Sequence, residues 1–379
     1  MTTGKTAFFT AAPVGRRTAL ALLASALACV PGAARAGKDL LETPAFPSKK
    51  AAASLLLGIA AAGKRLVAVG ERGIIVCSDD EGGTWRQASV PVSVTLTAVH
   101  FPTPGTGWAV GHDGVVLHST DGGLGWARRF DGNAANRLVI AEAQRHLDAL
   151  RADQTTDKAA VEAAEMAVED AMAGAEFGPS RPLLGVWFRT AEDGFVVGSY
   201  GQIFRTRDGG GTWQSLGRAL DNPDGLHCNA ITAAPSGALL IAGEGGRVYR
   251  SADGGESWET LDTGTPTHLF GVHALPGGGG REDLLAFGFG GRIFRCEDGR
   301  AWQAVASPAT RTLVGAVARG DALVLVDAAG GSVVSADSGR TFRALRAPGA
   351  APVAGVLATG SGTLIHVGVG GARAVPLTA

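Results

Sequence analysis

Carboxylates recur along this chain at a spacing that could gather several of them into one catalytic or metal-binding centre. The octapeptides SDDEGGTW, STDGGLGW, TRDGGGTW and SADGGESW begin at residues 78, 119, 206 and 251, and each has an acid, glycines and a tryptophan. Weaker copies place Asp298 and Asp337 at the same position. A catalytic centre needs convergent groups, whereas similar turns spread through a repeated fold do not meet. We therefore predict that these aspartates are structural.

Each residue type in the octapeptide suits a tight hairpin turn. The hydroxyl and the carboxylate can accept hydrogen bonds from nearby backbone N–H groups, and the glycines allow positive φ. The tryptophan supplies a large apolar surface for packing. The predicted structural pairs are Asp80 with Trp85, Asp121 with Trp126, Asp208 with Trp213, and Asp253 with Trp258.

Other reactive groups are sparse. Beyond the N-terminal segment the cysteines are Cys77, Cys228 and Cys296, and no C-x-x-C or H-E-x-x-H spacing occurs. We expect three small buried side chains, no metal and no cofactor. Lys and Arg number 34 against 35 Asp and Glu, without a long basic run, which argues against nucleic acid as a partner.

Residues 1–36 have the layout of a secretory signal peptide. Arg16 and Arg17 precede an apolar run, and Ala34-Arg35-Ala36 ends the segment with an A-x-A site. The arginine pair matches the twin-arginine pattern only loosely, so Sec export is favoured over Tat. No later apolar run is long enough to span a bilayer. The sequence predicts an exported protein of the periplasm, or of a thylakoid lumen, that is peripheral to a membrane at most.

The octapeptides belong to longer units that repeat about every 40 to 45 residues, the length of a propeller blade. Each unit reads as four short apolar strands, A to D, separated by glycine-rich turns. Seven such units predict an all-β protein, a seven-bladed β-propeller with four-stranded antiparallel blades over residues 37–379. The seventh unit lacks strand D, and we expect Leu41–Phe46 at the N-terminus to supply it and close the ring.

An additional segment, residues 133–178, interrupts the repeat between blades two and three and is helical by its pattern. Two apolar stripes and a polar connector predict an antiparallel helical hairpin. The stripes are Ile140, Ala143, Leu147 and Leu150, and Val161, Ala164, Val168 and Met172. Two interpretations stay open: the hairpin packs on its own propeller, or it is a docking arm for a partner helix.

The repeated turn is the Asp-box, or BNR motif. With VAVGERGIIVCSDDEGGTW and GWAVGHDGVVLHSTDGGLGW, which join a G-x-x-G turn to the box, the chain resembles the photosystem II stability/assembly factor-like family of BNR propellers. The resemblance implies a non-enzymatic factor that binds a membrane protein complex and assists its assembly or stability. The implied partners are subunits of a photosystem-like complex or of an RND-type exporter.

The same motif occurs in sialidases and other glycoside hydrolases, so a glycan-binding or sialidase-like protein is the alternative. The sialidase pattern requires a tyrosine nucleophile, and the only tyrosines are Tyr200 and Tyr249. Tyr249 lies among apolar neighbours on a strand, and no glutamate in the repeat obviously faces Tyr200. This argues against an enzyme.

A recognition surface is expected on the face opposite the boxes, where B–C turns and the links into strands A come together. Residues at these positions vary among the units in charge and aromatic character, as a binding surface requires. The alternative is that they are ordinary solvated loop residues. The predicted partner-binding residues are Arg72, His112, Asp113, Tyr200, Glu244, Arg181, His268 and Arg311.

Overall fold

The computed structural model describes residues 39–276, 282–297, 299, 301–319, 322–346, 349 and 351–376. The predicted signal peptide and Asp298 lie outside these residues. Within them the strands pair antiparallel in seven sheets, six of four strands and one of three. In every sheet consecutive strands are neighbours. This arrangement fits the predicted seven-bladed propeller.

The first four sheets contain strands β1 to β16. The first is β1 (Leu56–Ala62), β2 (Arg65–Gly70), β3 (Ile75–Ser78) and β4 (Arg86–Gln87). The second is β5 (Leu96–His100), β6 (Gly107–Gly111), β7 (Val116–Ser119) and β8 (Ala127–Phe130). The third is β9 (Leu183–Phe188), β10 (Gly194–Gly198), β11 (Ile203–Thr206) and β12 (Gln214–Ser215). The fourth is β13 (Cys228–Ala233), β14 (Leu239–Gly243), β15 (Arg247–Ser251) and β16 (Glu259–Asp262).

The last three sheets contain the remaining strands. The fifth is β17 (Leu269–Pro276), β18 (Glu282–Gly288), β19 (Ile293–Cys296) and β20 (Trp302–Val305). The sixth is β21 (Leu313–Arg319), β22 (Ala322–Asp327), β23 (Ser332–Ser335) and β24 (Arg343–Arg346). The seventh is β25 (Val353–Ala358), β26 (Leu364–Gly368) and β27 (Gly371–Val375).

The hydrophobic core lies between neighbouring sheets. Every residue of β6, β10 and β14 is buried, because strand B is covered by the sheets on both of its sides. Val67 of the first sheet and Leu117 of the second, both fully buried, share one apolar cluster. Burying such a side chain contributes about 1.5–3 kcal/mol, so each junction between sheets is a substantial apolar contact.

The A strands form a closed circle. Each contacts the A strand of the next sheet, and β25 of the seventh sheet contacts β1 of the first. The prediction that Leu41–Phe46 provides a fourth strand to the seventh sheet is wrong. Instead the Ala45 N–H donates to the Val90 carbonyl (3.0 Å), and this segment lies along the link between the first and second sheets. Pro44 and Pro47 lack the N–H groups that a ladder strand needs.

The predicted helical hairpin is present between β8 and β9 as α1 (Gly132–Ala152) and α2 (Lys158–Glu176). The Asp131 carboxylate caps α1 by accepting a hydrogen bond from the Ala134 N–H (3.0 Å). The first turns of α1 pack on the propeller, where Ala135 is buried with Phe130 and Phe188. No helix of the described residues has the length and apolar character needed to cross a membrane.

Helix α2 packs on α1 rather than on the sheets. The buried residues between the two helices are Ala143, Leu147, Ala164 and Val168. Met172, which the sequence pattern places on this stripe, is 55% exposed. The stripe continues instead through the partly buried Ala171 and Ala175, three and seven residues after Val168. The hairpin therefore packs on its own propeller through α1 and leaves one side of α2 open.

Candidate functional site

One backbone contact brings the B–C turns to the links that precede the A strands. In all seven sheets, the first N–H after strand B donates to a carbonyl just before strand A, at 2.8–3.1 Å. In the first sheet this is Glu71 N–H to the Leu55 carbonyl. A Cβ on Gly70 would lie 2.0 Å from that carbonyl oxygen, which explains why strand B ends in glycine in six of the seven sheets; the sixth has Asp327 there. Predicted site residues from both kinds of segment therefore share one face.

The middle of each of the first five B–C turns has left-handed backbone. Arg72, Asp113 and Tyr200 have φ of 53°, 55° and 57°, whereas Gly245 and Gly290 fill the same position in the next two sheets. A non-glycine residue in this conformation costs about 1 kcal/mol. Three side chains are thus retained at positions where glycine would be less strained.

Four of the side chains at this face are in contact across the third and fourth sheets. The Arg181 guanidinium lies 5.3 Å from the centre of the Tyr200 ring, and that ring lies 5.1 Å from the His227 ring. The His227 Nδ1 is 3.2 Å from a carboxylate oxygen of Glu244, and the same oxygen accepts the His227 backbone N–H. Cation–π, ring and histidine–carboxylate contacts therefore link an arginine, a tyrosine, a histidine and a glutamate.

The sequence of contacts continues into the fifth and sixth sheets. The other carboxylate oxygen of Glu244 lies 3.8 Å from His268 Nδ1, and the His268 carbonyl accepts the Phe289 N–H at 2.9 Å. Phe289, 59% exposed, and Arg311 line an open cavity of about 500 Å³. We call this set the polar arc; its members are Arg181, Tyr200, His227, Glu244, His268, Phe289 and Arg311.

The polar arc combines charge with exposure. Tyr200 is 61% exposed, and within the described residues neither Arg181 nor Arg311 makes a hydrogen bond or ion pair. Glu244 is shared between two imidazoles and so is already partnered. The arc can therefore offer two guanidinium groups and two aromatic surfaces to an extended ligand.

Three predicted site residues lie apart from the polar arc. Arg72 occupies the B–C turn of the first sheet, and His112 and Asp113 that of the second. Asp113 is partly buried beside the start of α1, and burial raises the pKa of its carboxyl. These residues share the face without joining the arc.

The cavity also contains residues that sequence reasoning missed. Thr310 and Thr312 flank Arg311, and the link into the seventh sheet contributes Ala351 and Pro352 to the lining. Small apolar residues in a link carry no chemical signal. Only an alignment of the repeats, which puts this link beside the B–C turn of the sixth sheet, could have indicated them.

The boxes lie at the C–D turns and are saturated with internal hydrogen bonds. The Asp208 carboxylate accepts the Thr212 N–H (2.8 Å) and hydroxyl (2.7 Å), and the Thr206 hydroxyl (2.9 Å). These bonds lower the pKa of Asp208 to about 2. Asp80 has the same environment and a pKa of about 2. Trp85 and Trp126 donate their indole N–H to a box carbonyl, at 3.1 and 2.9 Å.

The boxes also join neighbouring sheets. Arg205 of β11, only 7% exposed, pairs with Asp193 of its own sheet (3.0 Å) and with Glu256 in the box of the fourth sheet (2.9 Å). Arg295 of the fifth sheet pairs with Asp283 and donates to the Ser338 carbonyl in the box of the sixth. Arg205 and Arg295 are thus occupied by acids, in contrast to Arg181 and Arg311 of the polar arc.

Nothing in the described ranges resembles a metal centre. No cluster of three or more His, Cys, Asp and Glu residues there could hold an ion. The three cysteines are buried, and burial raises the pKa of the Cys228 thiol to about 12. The chemistry that the described face can offer is recognition by charged and aromatic side chains.

The comparisons with known proteins agree with this fold. The model of the family described as photosynthesis system II assembly factor YCF48 matches residues 166–352, close to half of the chain. The solved structure "YCF48 bound to D1 peptide" covers 86% of this chain and 94% of its own, with a TM-score of 0.58 and 18% identity. The chain belongs with the photosystem II assembly factor-like BNR propellers. The family predicted from the sequence is therefore confirmed.

Two further structures resemble this BNR propeller. YCF48 from Cyanidioschyzon merolae covers 85% of this chain and 95% of its own, with a TM-score of 0.57 and 17% identity. The structure of a streptogramin B lyase covers 86% of this chain and 95% of its own, with a TM-score of 0.61 and 13% identity. Identities this low show the shared fold and no more. Among curated proteins nothing matches.

Proposed function

We propose that this BNR propeller is an exported, non-enzymatic protein that uses the polar arc to bind a segment of a membrane protein subunit and so assists assembly of its complex. One observation carries the proposal: side-chain contacts join five varied residues from Arg181 to His268 along one face, and beside them Phe289 and Arg311 line an open cavity. Structural turns repeat their residues, as the boxes do, whereas this set changes from sheet to sheet.

The class of partner follows from the family and from the chemistry of the arc. A similar propeller has been solved as "YCF48 bound to D1 peptide", so a peptide ligand suits this fold. Exposed Tyr200 and Phe289 can take apolar side chains, and Arg181 and Arg311 can pair with carboxylates. The family favours a subunit of a photosystem-like complex as the partner. A subunit of an RND-type exporter remains a prediction.

The non-enzymatic part of the proposal rests on the two tyrosines that a sialidase-like mechanism could use. Tyr249 is 1% exposed on β15, and burial raises the pKa of its hydroxyl. The ring of Tyr200 contacts Arg181 and His227, whereas Glu244 pairs with His227 and not with Tyr200. Among the described residues no carboxylate is hydrogen-bonded to the Tyr200 hydroxyl, as a sialidase-like nucleophile would require. We therefore favour binding over glycan hydrolysis.

The test is affinity capture from solubilised membranes of the native host. The wild-type protein should retain subunits of one membrane complex, and R181A/R311A should retain at least about tenfold less, the equivalent of about 1.4 kcal/mol. The matched control is Arg343→Ala, which removes an exposed arginine on β24. Equal capture by the double variant would refute the role of the arc. Its melting temperature should match that of wild type, since both arginines lack ionic partners among the described residues.

A further inference from the structure

The outer side of α2 is a second exposed surface, separate from the polar arc. Viewed along the helix, one set of residues points away from α1 at alternating spacings of four and three. Its members are Ala159, Ala163, Met166, Asp170, Ala173 and Phe177. All six are exposed, Met166 at 60% and Phe177, which caps the helix, at 80%. We call them the outer seam.

This spacing is that of the a and d positions of a coiled coil. Positions 163, 170 and 177 take the a sites, and 159, 166 and 173 take the d sites. The opposite side of the same helix already packs on α1 through Ala164 and Val168. The alanines let another helix approach closely, while Met166 and Phe177 provide the large apolar contacts.

A row of carboxylates borders the outer seam. Glu162, Glu169 and Glu176 recur every seven residues, which places all three at the g position, and all are exposed. Glu162 pairs with Lys158 (3.1 Å), whereas Glu169 and Glu176 make no ion pair within the described residues. In coiled coils, charges at e and g choose the partner. We therefore expect lysine or arginine opposite these glutamates on the facing helix.

We propose that the outer seam of α2 binds a basic amphipathic helix of a partner protein, as a coiled coil with Lys or Arg opposite the glutamate row. The acidic row favours this occupant over two others, a second copy of this chain and an anionic lipid surface. An antiparallel second copy would oppose the glutamate rows, and a parallel copy would oppose Asp170 with Asp170. An anionic lipid surface would meet the same repulsion. The inference goes beyond the proposed function, because it concerns a surface that the arc does not use.

The experiment uses the full chain and a synthetic helix of about three heptads, with Leu at a and d and Lys at e and g. Binding is followed by fluorescence anisotropy and by the gain in helical circular dichroism. M166S/F177S should weaken binding at least about tenfold, because it removes both large apolar contacts of the seam. The matched control is Phe46→Ser, since Phe46 is 82% exposed elsewhere in the chain; it should bind as wild type does.

Charge reversal tests the specificity of the seam. E162K/E169K/E176K should bind the Lys peptide at least about tenfold more weakly than wild type does. The same variant should bind an otherwise identical peptide with Glu at e and g more tightly than wild type does. Equal binding of the Lys peptide by wild type and M166S/F177S would overturn the proposal. So would preferential binding of phosphatidylglycerol vesicles, or dimerisation abolished by M166S/F177S. All the substituted residues are exposed, so melting temperatures should stay close to that of wild type.

The two proposals are separated if M166S/F177S loses the Lys peptide but captures membrane subunits as wild type does, while R181A/R311A loses capture but binds the Lys peptide as wild type does. A failure of the seam leaves the proposed function intact, because the arc and the seam share no residue. Conversely, the Lys peptide reports on α2 alone and does not require the native partner of the arc.

Discussion

At the scale of single residues, the repeated and the varied positions of the fold have opposite roles. Box aspartates such as Asp208 use their carboxylate oxygens within their own turn. Arc residues such as Arg181 and Arg311 have guanidinium groups that make no hydrogen bond or ion pair with a described residue, although Arg181 lies over the Tyr200 ring. The varied residues also tolerate backbone strain, as at Tyr200, where glycine would fit more easily. The proposed binding residues therefore lie where the repeat is least regular.

The box carboxylates make the fold sensitive to acid. Their pKa is about 2 at Asp80 and Asp208, below the ordinary value of 3.8. A depressed folded pKa stabilises the native state above the unfolded pKa, and this stabilisation is lost as pH falls through the folded value. The melting temperature should therefore fall between pH 4 and pH 2, and less steeply in Asp208→Asn. Thermal unfolding across that range checks this.

The control for the acid prediction is Asp224→Asn, which changes an exposed carboxylate without hydrogen bonds in the described ranges. In this control the melting temperature should fall with pH as steeply as it does in wild type. If Asp208→Asn had the same pH dependence as wild type, the carboxylate hydrogen bonds would not be the source of acid sensitivity.

At the scale of elements, local patterns determined what could be predicted. The apolar stripes predicted both helices, and the turn residues predicted the strands around them, because each signal lies within a few neighbouring residues. Met172 was misplaced because four- and three-residue steps are equally helical, and only the packing against α1 decides between them. The contacts of the polar arc could not be predicted either, because they join turns and links that are about 17 to 27 residues apart in the sequence, beyond the reach of a local pattern.

The packing of the hairpin predicts that it can unfold while the propeller stays folded. Leu147 is 4% exposed between α1 and α2, so Leu147→Ala should lower the free energy of unfolding of the hairpin by about 2–4 kcal/mol. Amides of α2 should then exchange with solvent faster while those of β6 and β10 stay protected, as hydrogen–deuterium exchange can measure. Met172→Ala, at an exposed position of the same helix, should have little effect. Simultaneous loss of protection in the sheets would mean that the hairpin and the propeller unfold as one unit.

At the scale of the whole molecule, the repeat predicted seven sheets but not how the ring closes. Seven similar units imply a ring, because each unit must bury both of its faces. Which segment completes the last unit depends on a single stretch outside the repeat. No repeated pattern identifies Leu41–Phe46 as a strand, and Pro44 and Pro47, which cannot donate to a ladder, are a signal against it. In the structure the closing contact is the packing of β25 on β1.

We expect this closure to make the seventh sheet the weakest part of the ring. Among the described residues β27 has a strand partner on one side only and otherwise contacts the helical turn Ala51–Ala53, whereas the equivalent strand β23 lies between β22 and β24. An edge strand leaves alternate N–H groups without a ladder partner. Amides of β27 should therefore exchange at least about tenfold faster than those of β23 in native-state hydrogen exchange. Equal protection of the two strands would mean that a fourth strand covers β27, and that the ring is closed by more than the contact between β25 and β1.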